Sequence, residues 1–83
     1  MAILNITYQG RSADAPYALD DRTSDIDVRR IAVELIRSGE VGILDRDLNG
    51  NAFRHFVVDR HTGPDGVVRI YLRPKVPFGS AAA

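Results

Sequence analysis

Three groups of side chains in this sequence have types and spacings that chemistry could use. Asp45-Arg46-Asp47-Leu48-Asn49-Gly50 matches the opening D-x-D-x-N-G of a calcium loop, where oxygen ligands at alternate positions wrap a hard cation and glycine permits the sharp turn. The twelfth position of such a loop needs a bidentate Glu and here holds Phe56, and no flanking helices are expected, so the segment reads as a plain polar loop. His55 and His61 are six residues apart, which on a strand puts them on one side but well separated. With no third ligand or nucleophile beside them, they read as exposed or hydrogen-bonding histidines. Ser12, Ser24, Ser38 and Ser80 fall in turns, a cap or the tail, none of them a nucleophile-elbow context. These patterns imply no catalytic residue, no metal and no cofactor, and the chain reads as a non-enzyme.

The third group is a surface. In Val67–Arg73, Val68, Ile70 and Leu72 face one way and Val67, Arg69, Tyr71 and Arg73 the other. If the first row is core, Arg69, Tyr71 and Arg73 point outward. The preceding strand would add Arg54, Phe56, Val58 and Arg60, or else Phe53, His55 and Val57; apolar residues on both faces leave its register open. Taken singly, each charged residue is expected to pair across strands, Arg to Asp. Taken together, Arg54, Arg69, Tyr71 and Arg73 form a candidate partner-binding patch, because Arg and Tyr supply large contact area and adaptable hydrogen bonds.

One helix must position that patch. In Asp25–Gly39, Val28, Ile31, Ala32, Leu35 and Ile36 recur at the spacing of one helical stripe. Ser24 and Asp27 approximate a capping box, Asp25 and Asp27 suit the positive end of the helix dipole, and Arg37 suits the other end. Gly39 can take the left-handed position that ends the helix. Val33 and Ile26 point away from the stripe, Ile26 packing as a staple at the helix start. Around this helix the sequence predicts a first strand over Ile3–Tyr8, a turn over Gln9–Ala15 and a second strand over Tyr17–Asp20. A short third strand is expected over Val41–Leu44, a loop over Asp45–Asn51, and a strand over Phe53–Arg60. A hairpin connection at His61–Gly66 and the strand Val67–Arg73 complete the order. Leu4, Ile6 and Tyr8 share one face of the first strand, which is apolar enough on both faces to lie inside the sheet. The predicted class is α+β, a ββαββ mixed sheet with one helix on one face and the opposite face left to solvent or a partner.

Eighty-three residues make one small domain, assigned to residues 1–74, with 75–83 as a flexible tail after Pro74. There is no cysteine, so neither disulfides nor a thiolate zinc site can support the core. Net charge is zero, which gives no global attraction to nucleic acid or an anionic membrane. Ten of the eleven basic residues are Arg and nine of the eleven acidic ones are Asp. The N-terminus lacks a basic n-region and a long apolar run, which argues against a signal peptide; nothing approaches a membrane span, and a cytoplasmic location is expected.

The layout resembles the ubiquitin-like β-grasp family. Ser24-Asp25-Ile26-Asp27-Val28 is similar to that family's helix start, and Val68-Arg69-Ile70-Tyr71-Leu72-Arg73 to its last strand, which alternates apolar residues before an Arg. In layout the resemblance spans roughly residues 3 to 79. Conjugated members end in diglycine, whereas Gly79 stands alone after Phe78 and is followed by four residues; chain-forming members use several lysines, and Lys75 is the single one here. The resemblance therefore implies a non-conjugated module that binds another protein through its outer sheet face, as a monomer or weak homo-oligomer. The alternative it implies is a modifier or sulfur-carrier-like protein activated at Gly79 after processing. A third reading, nucleobases stacking on the aromatic and Arg face, is opposed by the zero net charge and the missing glycine-aromatic motif of RNA-binding sheets.

Overall fold

A computed structural model describes residues 1–75. Its elements are β1 (Ala2–Tyr8), β2 (Arg11–Asp14), α1 (Asp25–Ser38), β3 (Val57–Thr62) and β4 (Val68–Arg73). The four strands form one mixed sheet in the order β2-β1-β4-β3, with β1 and β4 parallel at the centre and antiparallel neighbours at both sides. This is the α+β arrangement of one helix and a mixed sheet that the sequence predicts, and β1 does lie inside the sheet. None of the described helices is long and apolar enough to cross a membrane.

The helix forms where capping and periodicity place it. Ser24 Oγ accepts a hydrogen bond from the Asp27 N–H at 3.2 Å, satisfying one of the amides that a helix start leaves unpaired. At the other end Gly39 takes φ 76°, donating its N–H to Ile36 O. Val28, Ala32, Leu35 and Ile36 are buried and Ile31 is half-buried, against Ala2, Leu4 and Ile6 of β1 and Ile70 and Leu72 of β4 within one apolar cluster. The register pairs Ala2 with Val68, Leu4 with Ile70 and Ile6 with Leu72, so both central strands present their apolar rows to the same face.

Several segments differ from the sequence reading. The second strand is Arg11–Asp14, and Tyr17–Asp20 contributes a single bridge, Leu19 to Ala2, with hydrogen bonds of 2.7 and 2.8 Å. The turn decides this: Gln9 and Gly10 both have positive φ, the two-residue geometry of a primed hairpin turn, so pairing begins at once with Arg11 opposite Tyr8 despite the polar composition of the strand. Val41–Leu44 is not a strand. The Gly42 N–H bonds to Gly39 O and the Asp45 N–H to Ile36 O, so the segment folds back onto the helix C-terminus, with Val41 and Ile43 buried.

Phe53–His55 is a run of turns, and β3 starts only at Val57 and extends past Arg60 to Thr62. Hydrogen bonds from Ala52 N to Asn49 O, Arg54 N to Asn51 O and Phe56 N to Phe53 O coil the chain there, driving the Phe53 ring inward to 1 % exposure. Phe53 stacks edge-on with Tyr8 and with Phe56, at centroid distances of 5.8 and 4.8 Å. Val33, expected outside, is 3 % exposed, because this coiled segment closes over the flank of the helix. Ile26 does not act as a staple; it stays 67 % exposed.

Candidate functional site

The outer sheet face is set by parity. β3 pairs Val57 with Arg73, Asp59 with Tyr71 and His61 with Arg69, while β1 pairs Ile3 with Arg69 and Asn5 with Tyr71. Since Ile70 and Leu72 are core, Arg69, Tyr71 and Arg73 look outward together with Ile3, Asn5, Val57 and Asp59. Tyr71 is half-buried at the centre, and Ile3 and Val57 are half-buried on the strands beside it. One of the charges around it pairs across strands, Arg73 with Asp59, while Arg69 meets Asp65 of the turn that precedes its own strand. Arg73 donates to Asp59 Oδ2 through Nε at 3.0 Å and through a terminal nitrogen, and Arg69 lies 3.5 Å from Asp65. Farther out, Asn5 donates to Asp14 at 2.9 Å and the Thr7 and Ser12 hydroxyls meet at 2.8 Å.

Arg54 does not join this face. Because β3 starts at Val57, Arg54 sits in the turns on the helix side of the sheet, lining a groove with α1. Arg60 likewise turns toward the helix start, where it bonds Thr23 O and Asp25 Oδ1, each at 2.7 Å. Gly79 lies outside the described residues, as does the expected tail beyond Lys75.

The groove beside Arg54 has a volume of about 480 Å³. Its apolar lining is Ile26, Val33 and Phe53; its charged lining is Arg29, Arg30, Arg37 and Arg54 against the single carboxylate of Glu34. Arg37 donates through Nε to Leu48 O at 2.8 Å and lies 3.3 Å from Glu34. Arg29 donates to Phe56 O at 3.0 Å, while its buried Nε has no hydrogen-bond partner among the described residues. Arg30 stands 3.8 Å from Asp27, a loose contact, and Arg54 forms no ion pair among the described residues. Sequence reasoning missed the groove because its arginines come from two segments that only the coiled loop brings together. The i, i+1 and i+8 positions of Arg29, Arg30 and Arg37 were the available signal.

Two side chains of the calcium-like loop, Asp45 and Asn49, engage their oxygens with protein donors. Asp45 Oδ1 accepts from the Asp47 N–H at 3.2 Å, Asn49 Oδ1 from the Asn51 N–H at 2.8 Å, and Asp45 Oδ2 from the Tyr8 hydroxyl at 3.1 Å. Burial, then the hydrogen bond and the charge of Asp45, raise the Tyr8 hydroxyl above its usual pKa. No cluster of three or more metal-ligating side chains occurs among the described residues. Comparison of the chain with known protein families, with curated proteins and with solved structures returned no match.

Proposed function

We propose that this chain is a non-enzymatic protein-binding module of ubiquitin-like β-grasp type, presenting the outer face of its sheet. The β2-β1-β4-β3 order with a parallel central pair is compatible with that fold. The observation that carries the functional reading is the half-buried apolar centre of Tyr71, Ile3 and Val57, ringed by Arg–Asp pairs on a face that no described segment covers. Binding would desolvate the tyrosine and its aliphatic neighbours, while Arg69 and Arg73 exchange or share their aspartates with acidic groups of the partner.

A photo-crosslinking residue at position 71, introduced in the native host, tests this. A discrete protein adduct is expected that forms more slowly when Arg73→Glu is added and is not formed from the same residue placed at Arg46. Absence of any adduct dependent on position 71 would refute the reading.

A further inference from the structure

We infer that the groove between α1 and the turns at 50–54 is a second docking site, whose occupant is an acidic peptide segment carrying an apolar side chain. The lining sets four guanidiniums against one carboxylate in a chain of zero net charge, so positive charge is concentrated here without a basic character elsewhere. Glu34 is engaged by Arg37, which leaves Arg29 with an unpaired buried donor, Arg30 with a loose 3.8 Å contact and Arg54 without an ion pair among the described residues. Carboxylates, like phosphates, match planar guanidinium donors two at a time.

The apolar part of the lining decides what else the occupant carries. Val33 and Phe53 are already packed, but Ile26 stands 67 % exposed at the groove. An aliphatic side chain flanked by carboxylates would cover Ile26 while its acids reach Arg30 and Arg54. The volume of about 480 Å³ lies within the range of pockets that take a small ligand, enough for a short peptide segment's side chains. An extended polyanion fits less well, since Asp25 and Asp27 occupy the first turn of the same helix and would repel successive phosphates. The inference is independent of the outer-face reading, because the groove lies on the helix side of the sheet.

The test is an amide-resolved NMR titration of the full chain with two probes: the peptide Asp-Asp-Leu-Ile-Glu-Asp and its isostere, in which Asn and Gln replace the acids. Expected are shifts confined to residues 26–37 and 50–54, affinity at least about tenfold weaker for the isostere, and further weakening with added salt. The double substitution Arg30→Glu and Arg54→Glu, both at exposed positions, should abolish the shifts with the fold intact by circular dichroism, whereas Arg69→Glu with Arg73→Glu should leave them unchanged. No shift at these amides, equal binding of the isostere, or tighter binding of an oligothymidylate at the same amides would each overturn the inference. Shifts at Ile3 and Tyr71 alone would overturn it too, while leaving the outer-face reading standing.

Discussion

Phe53→Ala is the most discriminating perturbation of this fold. Read as a strand residue, Phe53 would stand on a half-solvated sheet face, and truncation would cost about 1 kcal/mol or less. In the structure it is the largest of the fully buried side chains and makes edge-on contacts with both Tyr8 and Phe56. Removing a buried phenylalanine costs about 3–5 kcal/mol through lost transfer energy and the cavity left behind. Each aromatic pair contributes about 0.5–1.5 kcal/mol beyond area burial, which favours the upper half of that range. A chain of this size has a total stability of about 4–12 kcal/mol, so the substitution should remove a third of it or all of it. Urea denaturation followed by circular dichroism is the assay, with a large fall in midpoint at unchanged slope expected. If Phe53→Ala unfolds the chain outright, Phe53→Leu gives the graded reading, keeping most of the apolar volume at a cost of about 1–3 kcal/mol. Phe56→Ala, at a half-buried position, should cost less than Phe53→Ala. A loss below about 1 kcal/mol for Phe53→Ala would refute the coiled-loop packing and with it the groove that the loop closes.

Gly39→Ala should destabilise by about 1–2 kcal/mol, since a side chain is forced into a left-handed conformation at φ 76° and its Cβ would meet Leu44 Cδ1 at 3.2 Å; thermal unfolding measures it. Because the folded-state pKa of Tyr8 is raised, its protonated form is favoured by folding: that contribution is complete below the ordinary tyrosine pKa of about 10 and is lost as pH rises through the folded value. Wild-type stability should therefore fall more steeply above about pH 10 than that of Tyr8→Phe, which should itself lose about 0.5–1.5 kcal/mol at neutral pH with its hydrogen bond to Asp45. Arg60→Ala should cost under about 1 kcal/mol, as its ion pair with Asp25 is partly exposed, and the cost should shrink in high salt.

The parts of the fold that were legible in the sequence are those where local signals agreed with tertiary demand. Ser24, the apolar stripe and Gly39 specify the helix by themselves, and the strict alternation of Val68, Ile70 and Leu72 fixes which face of β4 is buried. The hairpin at Gln9-Gly10 was legible only as a turn, because a polar strand such as Arg11–Asp14 has no hydrophobic pattern and is defined by the turn geometry that hands it to β1. Val41, Ile43 and Phe53 were misread for the opposite reason. Their apolar, β-branched or aromatic composition suits a strand, but their neighbours' backbone groups are satisfied by turns and by the helix C-terminus, leaving the side chains to bury individually as plugs.

That same misreading divided the candidate site. Placing Phe53–Arg60 on the sheet carried Arg54 to the outer face with Arg69, Tyr71 and Arg73; coiling residues 51–55 carries it to the helix side instead. What remains on the outer face is nearly neutral in charge, since Asp59 and Asp65 answer Arg73 and Arg69. A partner there gains mainly from Tyr71 and its aliphatic neighbours, and exchanging a rim arginine should alter association rate more than residence time. The helix-side groove has the opposite balance, with guanidinium donors in excess of their acceptors, so charge must carry more of any affinity there. The two faces are thus distinguishable by salt alone. Binding at the groove should weaken steeply with ionic strength, and binding centred on Tyr71 only slightly, so a titration repeated at low and high salt assigns an unidentified partner to one face or the other.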